Sequence, residues 1–419
     1  MIISMKKTIL IGALALALGA CSTISQKNEA QGQIDIVPAF ENPTELKVSH
    51  LGKNIRYVPL ETTDSSLIGQ MYGIKLLDDK ILVTSGANCL LFDKRTGKFL
   101  CKVSGRGQGP KEYLNSISYV HPQTGDIYFN RTPWKMIRFN QEGKYLDDLQ
   151  MPFKWDYGCF LTFKDNEAIA HRTLGKNQIH RFDMTGAAID SIALPSNREW
   201  NYEDIKTPVM AEGPAPSLMG AGMFATNGFL IIQYKTEERQ DFLTVHYPSI
   251  YSYKDEMRFH EAYNDTIYRI DGHTLTPQWI FQTGECHTPR EMYGDVEESK
   301  KRMVITYVAE TEDLLFFECA KEWFTQNKRP DFRFRIYQKK EGITLIGRTY
   351  ERITDDLTQF IPFYPTTHST QGEFAGTLSI EQIQKWLEEH PDVKLEGALA
   401  PLEGLADDAN PVVVIVEAY

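Results

Sequence analysis

The sequence predicts an all-β fold in which four-stranded sheets repeat in a ring, as the blades of a β-propeller do. Four short apolar segments separated by turn residues lie between Gly69 and Val103, and four strands in about 40 residues is the size of one blade. A hairpin pattern then recurs at Phe92, Phe139 and Phe182. The chain ends in a continuous apolar run beginning at Pro411, which needs a strand partner on each side.

The recurring hairpin starts with Phe, continues with Asp or Asn, and turns through polar residues that end in Gly. In its first copy, Phe92 to Phe99, apolar residues lie on both sides of a polar turn ending at Gly97. The three leading Phe residues are 47 and 43 residues apart, which is the period of propeller blades. This repeat predicts that the first three blades follow one another along the chain.

A glycine-rich segment, SGRGQGP at residues 104–110, follows the first hairpin. A dinucleotide-binding loop needs G-x-G-x-x-G at the start of a helix, whereas here Pro110 follows G-x-G-x-G and strands lie on both sides. We therefore predict a joint between blades one and two, whose glycines supply positive φ and close packing. Arg106 on this joint is a candidate for binding an anion.

The middle of the chain is less regular. Residues 197–222 are rich in Pro and Gly and predict a long loop. Strand-like segments at 229–234, 242–247 and 250–253 predict the fourth blade, and residues 265–281 predict another sheet.

Two short helical insertions are predicted between strands, one from Pro289 to about Met303 and one from Ser379 to about His390. The first is preceded by Thr288 to Glu291, which resembles a capping box with Pro at the first turn. Ring closure is predicted at the two ends of the propeller, where the C-terminal strand would pair with the strand Ile55 to Leu60 to complete the last blade.

The N-terminus carries an export pattern. Lys6 and Lys7 precede an apolar run, Thr8 to Ala17, that is shorter than the roughly 20 residues of a membrane span. The segment LGAC that ends at Cys21 resembles a bacterial lipobox, which implies cleavage before Cys21 and acylation of its thiol. The alternative is an ordinary secretory signal with an incidental cysteine.

The expected organisation is a lipoprotein signal peptide at 1–20, a lipidated tether at 21–44 and a single propeller domain at 45–419. Ser22 stands where an Asp would favour retention in the inner membrane, so we expect an anchor in the outer membrane. Loss of Lys6 and Lys7 would change the net charge from −11 to −13. This balance argues against nucleic acid as a partner, and we expect a monomer held on a membrane surface.

Five cysteines remain after Cys21, and we predict that all are small buried residues: Cys89, Cys101, Cys159, Cys286 and Cys319. If Phe92 faces Phe99 in the hairpin, Leu90 faces Cys101 and Cys89 points to the other side of the sheet, so no bridge is expected. Neither a Cys/His metal spacing nor a nucleophile elbow is present. We therefore assign no catalytic residue, metal or cofactor.

Four segments carry a family resemblance: residues 58–63 (VPLETT), 105–113 (GRGQGPKEY), 264–270 (NDTIYRI) and 410–413 (NPVV). In them the chain resembles the six-bladed β-propeller lipoproteins of Bacteroidetes, distant relatives of NHL-repeat propellers. The resemblance implies six blades, export and lipidation. That family has no established reaction, and the metal-binding histidines of enzymatic NHL relatives have no matching set in this sequence.

Aromatic and basic residues in loops are the candidate ligand-binding groups, since Trp or Tyr beside a charged residue suits stacking on a sugar or docking of a protein loop. Besides Arg106, they are Arg131, Trp134, Trp155, Tyr157 and Trp200. Packing between blades is the structural alternative for them. The sequence thus favours a binding module for a glycan, peptide or envelope protein over a lyase or glycan-cleaving enzyme, or a scaffold or sensor in an envelope complex.

Overall fold

The computed structural model confirms a β-propeller of six four-stranded antiparallel blades. It describes residues 32–69, 72–86, 88–114, 117–131, 133–155, 159–172, 178–194, 206, 209–212, 228–233, 235–236, 240–244, 248–261, 264–287, 301–321 and 331–418. In these ranges no helix is long and apolar enough to cross a membrane.

The described chain begins with an N-terminal arm, residues 32–53, which runs along the outside of three blades. Strand β1 (Gly32–Asp35) adds in parallel to the outer edge of blade four. Helix α1 (Val37–Glu41) follows beside blade five, and β2 (Asn54–Pro59) is the outer strand of blade six. The prediction of a tether up to residue 44 is therefore wrong from residue 32 onwards, because the backbone of β1 is already paired.

Blades one to three follow the predicted repeat, with four consecutive strands each. Blade one contains β3 (Tyr72–Leu76), β4 (Lys80–Ser85), β5 (Asn88–Asp93) and β6 (Phe99–Gly105). Blade two contains β7 (Ser118–Val120), β8 (Ile127–Arg131), β9 (Lys135–Phe139) and β10 (Tyr145–Gln150). Blade three contains β11 (Phe160–Lys164), β12 (Glu167–His171), β13 (Gln178–Asp183) and β14 (Ala188–Ala193).

The predicted composition of blade four is wrong. A separate three-stranded sheet, between blades three and four in sequence, contains β15 (Val209–Glu212), β16 (Gly228–Gln233) and β17 (Gln240–Thr244). Blade four contains β18 (Ser249–Tyr253), β19 (Glu256–His260), β20 (Thr266–Asp271) and β21 (Thr274–Gln282). The composition of short strands does not reveal which neighbours they pair with. The prediction therefore assigned strands of two different sheets to one blade.

Blades five and six complete the ring. Blade five contains β22 (Met303–Glu310), β23 (Leu314–Lys321), β24 (Asp331–Gln338) and β25 (Ile343–Ile346). Blade six contains β26 (Thr367–His368), β27 (Phe374–Leu378) and β28 (Val412–Glu417), together with β2. The predicted ring closure is confirmed: Tyr57 of β2 pairs with Val414 of β28, and the side chains of β28 from Val412 to Val416 are fully buried.

Of the two predicted helical insertions, the second is confirmed as α2 (Ile380–Glu389), and the first falls mostly outside the described residues. Ser379 caps α2 by accepting a hydrogen bond from the backbone N–H of Gln382, and the Gln382 side chain accepts one in return. Short 3-10 turns occupy Val48–His50, Gly284–Cys286 and Gly397–Leu402.

The structure explains each position of the recurring hairpin. Phe92 is fully buried and packs edge-on against Phe99, with ring centroids 5.7 Å apart. Oδ1 of Asp93 accepts hydrogen bonds from the backbone N–H groups of Arg95 and Thr96, which closes the turn. Gly97 has φ +72° and packs against the outer strand of the preceding blade. Gly143 and Gly186 repeat this contact in blades two and three.

The predicted pairing of Phe92 with Phe99 is confirmed, but Cys101 pairs with Leu91 rather than Leu90, because a β-bulge intervenes. The five cysteines of the described residues are free thiols. Cys89, Cys159 and Cys319 are buried as predicted, whereas Cys101 and Cys286 are half-buried.

The strand order gives the propeller two different faces. In each blade the first strand lies innermost and the fourth outermost. Connections from one blade to the next, and loops between second and third strands, emerge on the same face, which we call the connector face. Connections between the first and second strands and between the third and fourth strands emerge on the opposite, turn face. The long connections of the chain, including α2, therefore lie on the connector face.

Candidate functional site

A corner of blade two on the connector face presents an exposed tryptophan. Trp134 lies between β8 and β9 and is 47% exposed. Its carbonyl oxygen accepts a hydrogen bond from the backbone N–H of Met151 at 2.7 Å, and the carbonyl of Pro133 accepts one from Trp155 at 2.7 Å. Lys135, the next residue, pairs with Asp148. The indole is therefore held on a fastened backbone while much of its surface faces solvent.

Arg131 connects this corner to the glycine-rich joint. Its guanidinium donates from Nη2 to the carbonyl oxygen of Gln108 at 2.8 Å and from Nη1 to the carbonyl of Glu112. These two bonds give Arg131 a structural role in holding the joint. Arg106 on the same joint is exposed, and its backbone forms a bridge with Tyr113. Arg131 thus places the Arg106 joint beside the Trp134 corner.

Two glycines of the joint, Gly107 and Gly109, pack closely against Glu112 of the joint itself rather than between adjacent blades, and the predicted positive φ is wrong. Neither Gly105, Gly107 nor Gly109 has a positive φ. A Cβ on Gly107 would lie 1.9 Å from Oε2 of Glu112, and that oxygen accepts a hydrogen bond from the backbone N–H of Gly109 at 2.8 Å. The joint therefore folds around a carboxylate of its own chain, which argues against a phosphate cradle.

Trp155 packs between blades, which was the alternative to ligand binding for the candidate residues. It is 7% exposed and lies 5.6 Å, centroid to centroid, from the ring of Tyr119 in blade two. Its ring also stacks near Phe153. Tyr157 and Trp200 lie outside the described residues. Of the six candidates, Arg106 and Trp134 are thus exposed on the connector face, and Arg131 holds the backbone between them.

The innermost strands bring together polar groups that the sequence did not single out. Nζ of Lys75 in blade one donates to the carbonyl of Ser118 in blade two and lies 5.7 Å from the ring of Tyr119. Lys75 is half-buried, and desolvation of its ammonium lowers the pKa of Lys75 to about 8. Nothing in the sequence indicates a special role for Lys75, because this residue lies within an otherwise apolar strand, β3.

A second group on the inner strands connects blades four to six. Tyr307 hydrogen-bonds Nδ1 of His368, and the ring of Tyr251 lies 6.5 Å from the same imidazole. Burial lowers the pKa of His368 to about 4, so the ring is neutral at pH 7. These contacts fasten neighbouring blades around the axis. In the described ranges no three His, Cys, Asp or Glu side chains are grouped to hold a metal ion.

Comparison with known proteins places the chain in a family. A family model for a domain of unknown function, DUF4934, matches residues 31–417. The match begins one residue before β1 and ends with β28, so it spans the N-terminal arm as well as the six blades.

Among solved structures, a Bacteroides fragilis NCTC 9343 protein provisionally described as exported is similar, with a TM-score of 0.59 and 16% identity. The similarity covers 92% of this chain and 99% of that one, and at this identity it shows the fold alone. The WD40 repeats of RRP9 align with a TM-score of 0.39 and 11% identity, over 89% of this chain and 99% of theirs. No curated protein matches. Because the family match spans nearly the whole sequence, the chain belongs to the DUF4934 family.

Proposed function

We propose that this protein is an envelope lipoprotein whose propeller acts as a binding module for a glycan, peptide or envelope protein, with the connector face as the binding surface. The observation that carries the proposal is Trp134. Its side chain is 47% exposed, while the backbone carbonyls of Pro133 and Trp134 accept hydrogen bonds from the backbone N–H groups of Trp155 and Met151. A large aromatic surface that is already ordered loses little conformational entropy when a ligand stacks on it.

The surroundings of Trp134 support a polar ligand. Lys135 and Asp148 form an ion pair next to it, and Arg106 lies exposed on the neighbouring joint. Loops on a rigid scaffold commonly carry binding residues. A sugar ring with its hydroxyl groups, or a peptide loop with polar side chains, matches this combination of an apolar ring and charged neighbours.

The envelope location is supported by the lipobox-like LGAC segment and by the structural likeness to a protein provisionally described as exported. We infer that Cys21 is acylated and that the anchor is in the outer membrane. Incorporation of a labelled fatty acid that disappears in Cys21→Ser tests the anchor; equal labelling of both proteins would contradict it.

Binding is tested with the chain that lacks its first 21 residues, screened on glycan and peptide arrays and then by calorimetry. We expect Trp134→Ala to weaken binding of a hit at least tenfold, about 1.4 kcal/mol. Leu146→Ala is the matched control, because Leu146 is 43% exposed in the same blade, near its turn face. Unchanged affinity in Trp134→Ala would reject this surface. Turnover of a hit would favour an enzyme, and a co-purifying membrane protein without array hits would favour a scaffold.

A further inference from the structure

Arg335 of β24 is a buried cation without an acidic partner. Its side chain is 0% exposed, and its one hydrogen bond runs from Nη1 to the carbonyl oxygen of Arg333 at 3.1 Å. Nε and Nη2 have no hydrogen-bond partner. Burial lowers the pKa of Arg335 to about 10, so the guanidinium stays charged at pH 7. Leaving charged donors buried and unpaired is costly.

The free edge of Arg335 is the one that other arginines of this protein offer to a carboxylate. Arg138 donates from Nε and Nη2 to Asp126, Arg181 does so to Glu167, and Arg333 does so to Asp331. This edge places two N–H groups side by side, in the spacing of two oxygens of a carboxylate, sulfate or phosphate. In Arg335 the same edge has no oxygen to bind.

Phe40 of the N-terminal arm covers this cluster. Its ring lies 4.4 Å from Cζ of Arg335, 4.9 Å from Cζ of Arg333 and 4.2 Å from Nζ of Lys321. Three cations thus face one aromatic ring, and Asp331 is the carboxylate paired within the group. Cation–π contacts of this kind are each weaker than a charge-assisted hydrogen bond.

The covering segment is held mainly at its two ends. Ile36 and Leu46 are buried, whereas every residue between them is exposed or half-buried. Helix α1 contains no buried residue and has only five residues, which is too short to be stable by itself. Within the segment, the carbonyl oxygen of Phe40 accepts a hydrogen bond from Nη1 of Arg333 at 3.4 Å, and the backbone N–H of Thr44 donates one to the carbonyl oxygen of Ile346 at 2.6 Å. Opening of the cluster therefore breaks few bonds and leaves Ile36 and Leu46 buried.

We propose that Arg335, Arg333 and Lys321 form a binding site for an oxyanion group, a carboxylate, sulfate or phosphate, and that Phe40 closes this site in the structure. Binding exchanges the ring for an anion that pairs with Nε and Nη2 of Arg335. The site is on blade five, opposite Trp134 in the ring, so this inference does not depend on the connector-face site of blade two.

The test measures binding of inorganic sulfate by calorimetry at constant ionic strength, with chloride as the balancing anion. We expect Phe40→Leu, which removes the ring but keeps an apolar anchor, and Phe40→Ala to bind sulfate at least tenfold more tightly than the natural chain. Adding Arg335→Lys to either variant keeps the charge but removes the paired N–H edge, so the gain should disappear.

Arg348→Gln is the control for general charge, because Arg348 is an exposed cation of the connection after blade five. It should leave sulfate affinity unchanged. The proposal fails if neither Phe40 variant gains affinity while melting cooperatively, or if Arg335→Lys leaves the gain intact. Loss of cooperative melting in Phe40→Ala alone leaves the Phe40→Leu result to decide.

Discussion

Gly97 and Pro59 meet at the junction between blades one and six, where a Cβ on Gly97 would lie 1.9 Å from the carbonyl oxygen of Pro59. A Cβ on Gly143 would lie 2.6 Å from the carbonyl oxygen of Lys102, and a Cβ on Gly186 would lie 2.2 Å from that of Gln150. The hairpin glycine therefore sets how closely one blade approaches the next, in addition to allowing the turn.

Gly97→Ala should destabilise the propeller by about 3 kcal/mol or more, because it adds a backbone clash to the strain of a positive φ. Gly404→Ala is the matched control: its φ of +71° is almost the same, but nothing lies within 4 Å of its Cβ position. It should cost about 1 kcal/mol. Urea unfolding of the two variants measures the difference, and equal losses would show that φ alone matters.

Glu310 is the centre of a buried polar cluster between blades four and five. Its carboxylate accepts hydrogen bonds from Nζ of Lys339 at 2.8 Å, from Nε1 of Trp279 at 3.1 Å and from the hydroxyl of Tyr251 at 3.2 Å. Nε of Arg258 lies 3.5 Å away. The side chain of Glu310 is completely buried, so four groups would lose their shared partner together.

Glu310→Ala should lower the free energy of unfolding by about 3–5 kcal/mol, because it leaves the largely buried Lys339 without its carboxylate and Arg258 with Glu256 alone. Glu312→Ala, which removes an exposed carboxylate paired with exposed Lys254, should cause no measurable change. Thermal and urea unfolding check both variants. A mild effect at Glu310 would mean that water or another carboxylate replaces it.

His260 makes stability depend on pH. It is buried, Nε2 contacts the carbonyl oxygen of Asn264 at 2.8 Å, and burial lowers the pKa of His260 to about 4 from an ordinary 6.5. The unfolded chain therefore takes up a proton at a higher pH than the folded chain does. The contribution of His260 to the free energy of unfolding is therefore fully present above pH 6.5 and is lost as the pH falls toward 4.

His260→Gln should remove the uptake of up to one proton on unfolding. The pH slope of the free energy of unfolding should then decrease by up to roughly 1.4 kcal/mol per pH unit between pH 6 and 5. Urea unfolding at pH 7, 6 and 5 measures the slope for both proteins, with an unchanged m value as the check on two-state behaviour. His180 and His368 also have a pKa lowered to about 4 by burial, so part of the slope should remain. An identical slope in both proteins would contradict the prediction.

The parts of the fold that the sequence predicted are those coded by local pattern. Phe92, Asp93 and Gly97 each have a local physical reason to recur, so the period of the first three blades was readable. The pairing of β1 with β21 was not, because it joins Gly32 to Trp279 and the short segment GQID has no alternation to indicate a strand.

The candidate site was predictable to the same degree. Trp134 stands out in sequence as an aromatic residue in a turn, and the structure leaves it exposed. Trp155 has equally promising neighbours in sequence, yet it is buried, because only the packing of blade two on blade three decides its exposure. Arg335 gave no signal in the sequence, since it is the second of two Arg in the strand DFRFRIYQ and occupies one of several alternating polar positions.

The path of the N-terminal arm has a mechanical consequence. Strand β1 lies parallel to β21 and points toward the connector face, so its first residue, Gly32, is at the turn-face end of the strand. A pull on that end loads the hydrogen bonds of β1 along the strand axis, in shear, and all of them resist together. The hydrogen bonds between β1 and β21 at the outer edge of blade four therefore bear the force before it reaches β2. The closure of the ring is thereby protected from tension on the very chain end that closes it.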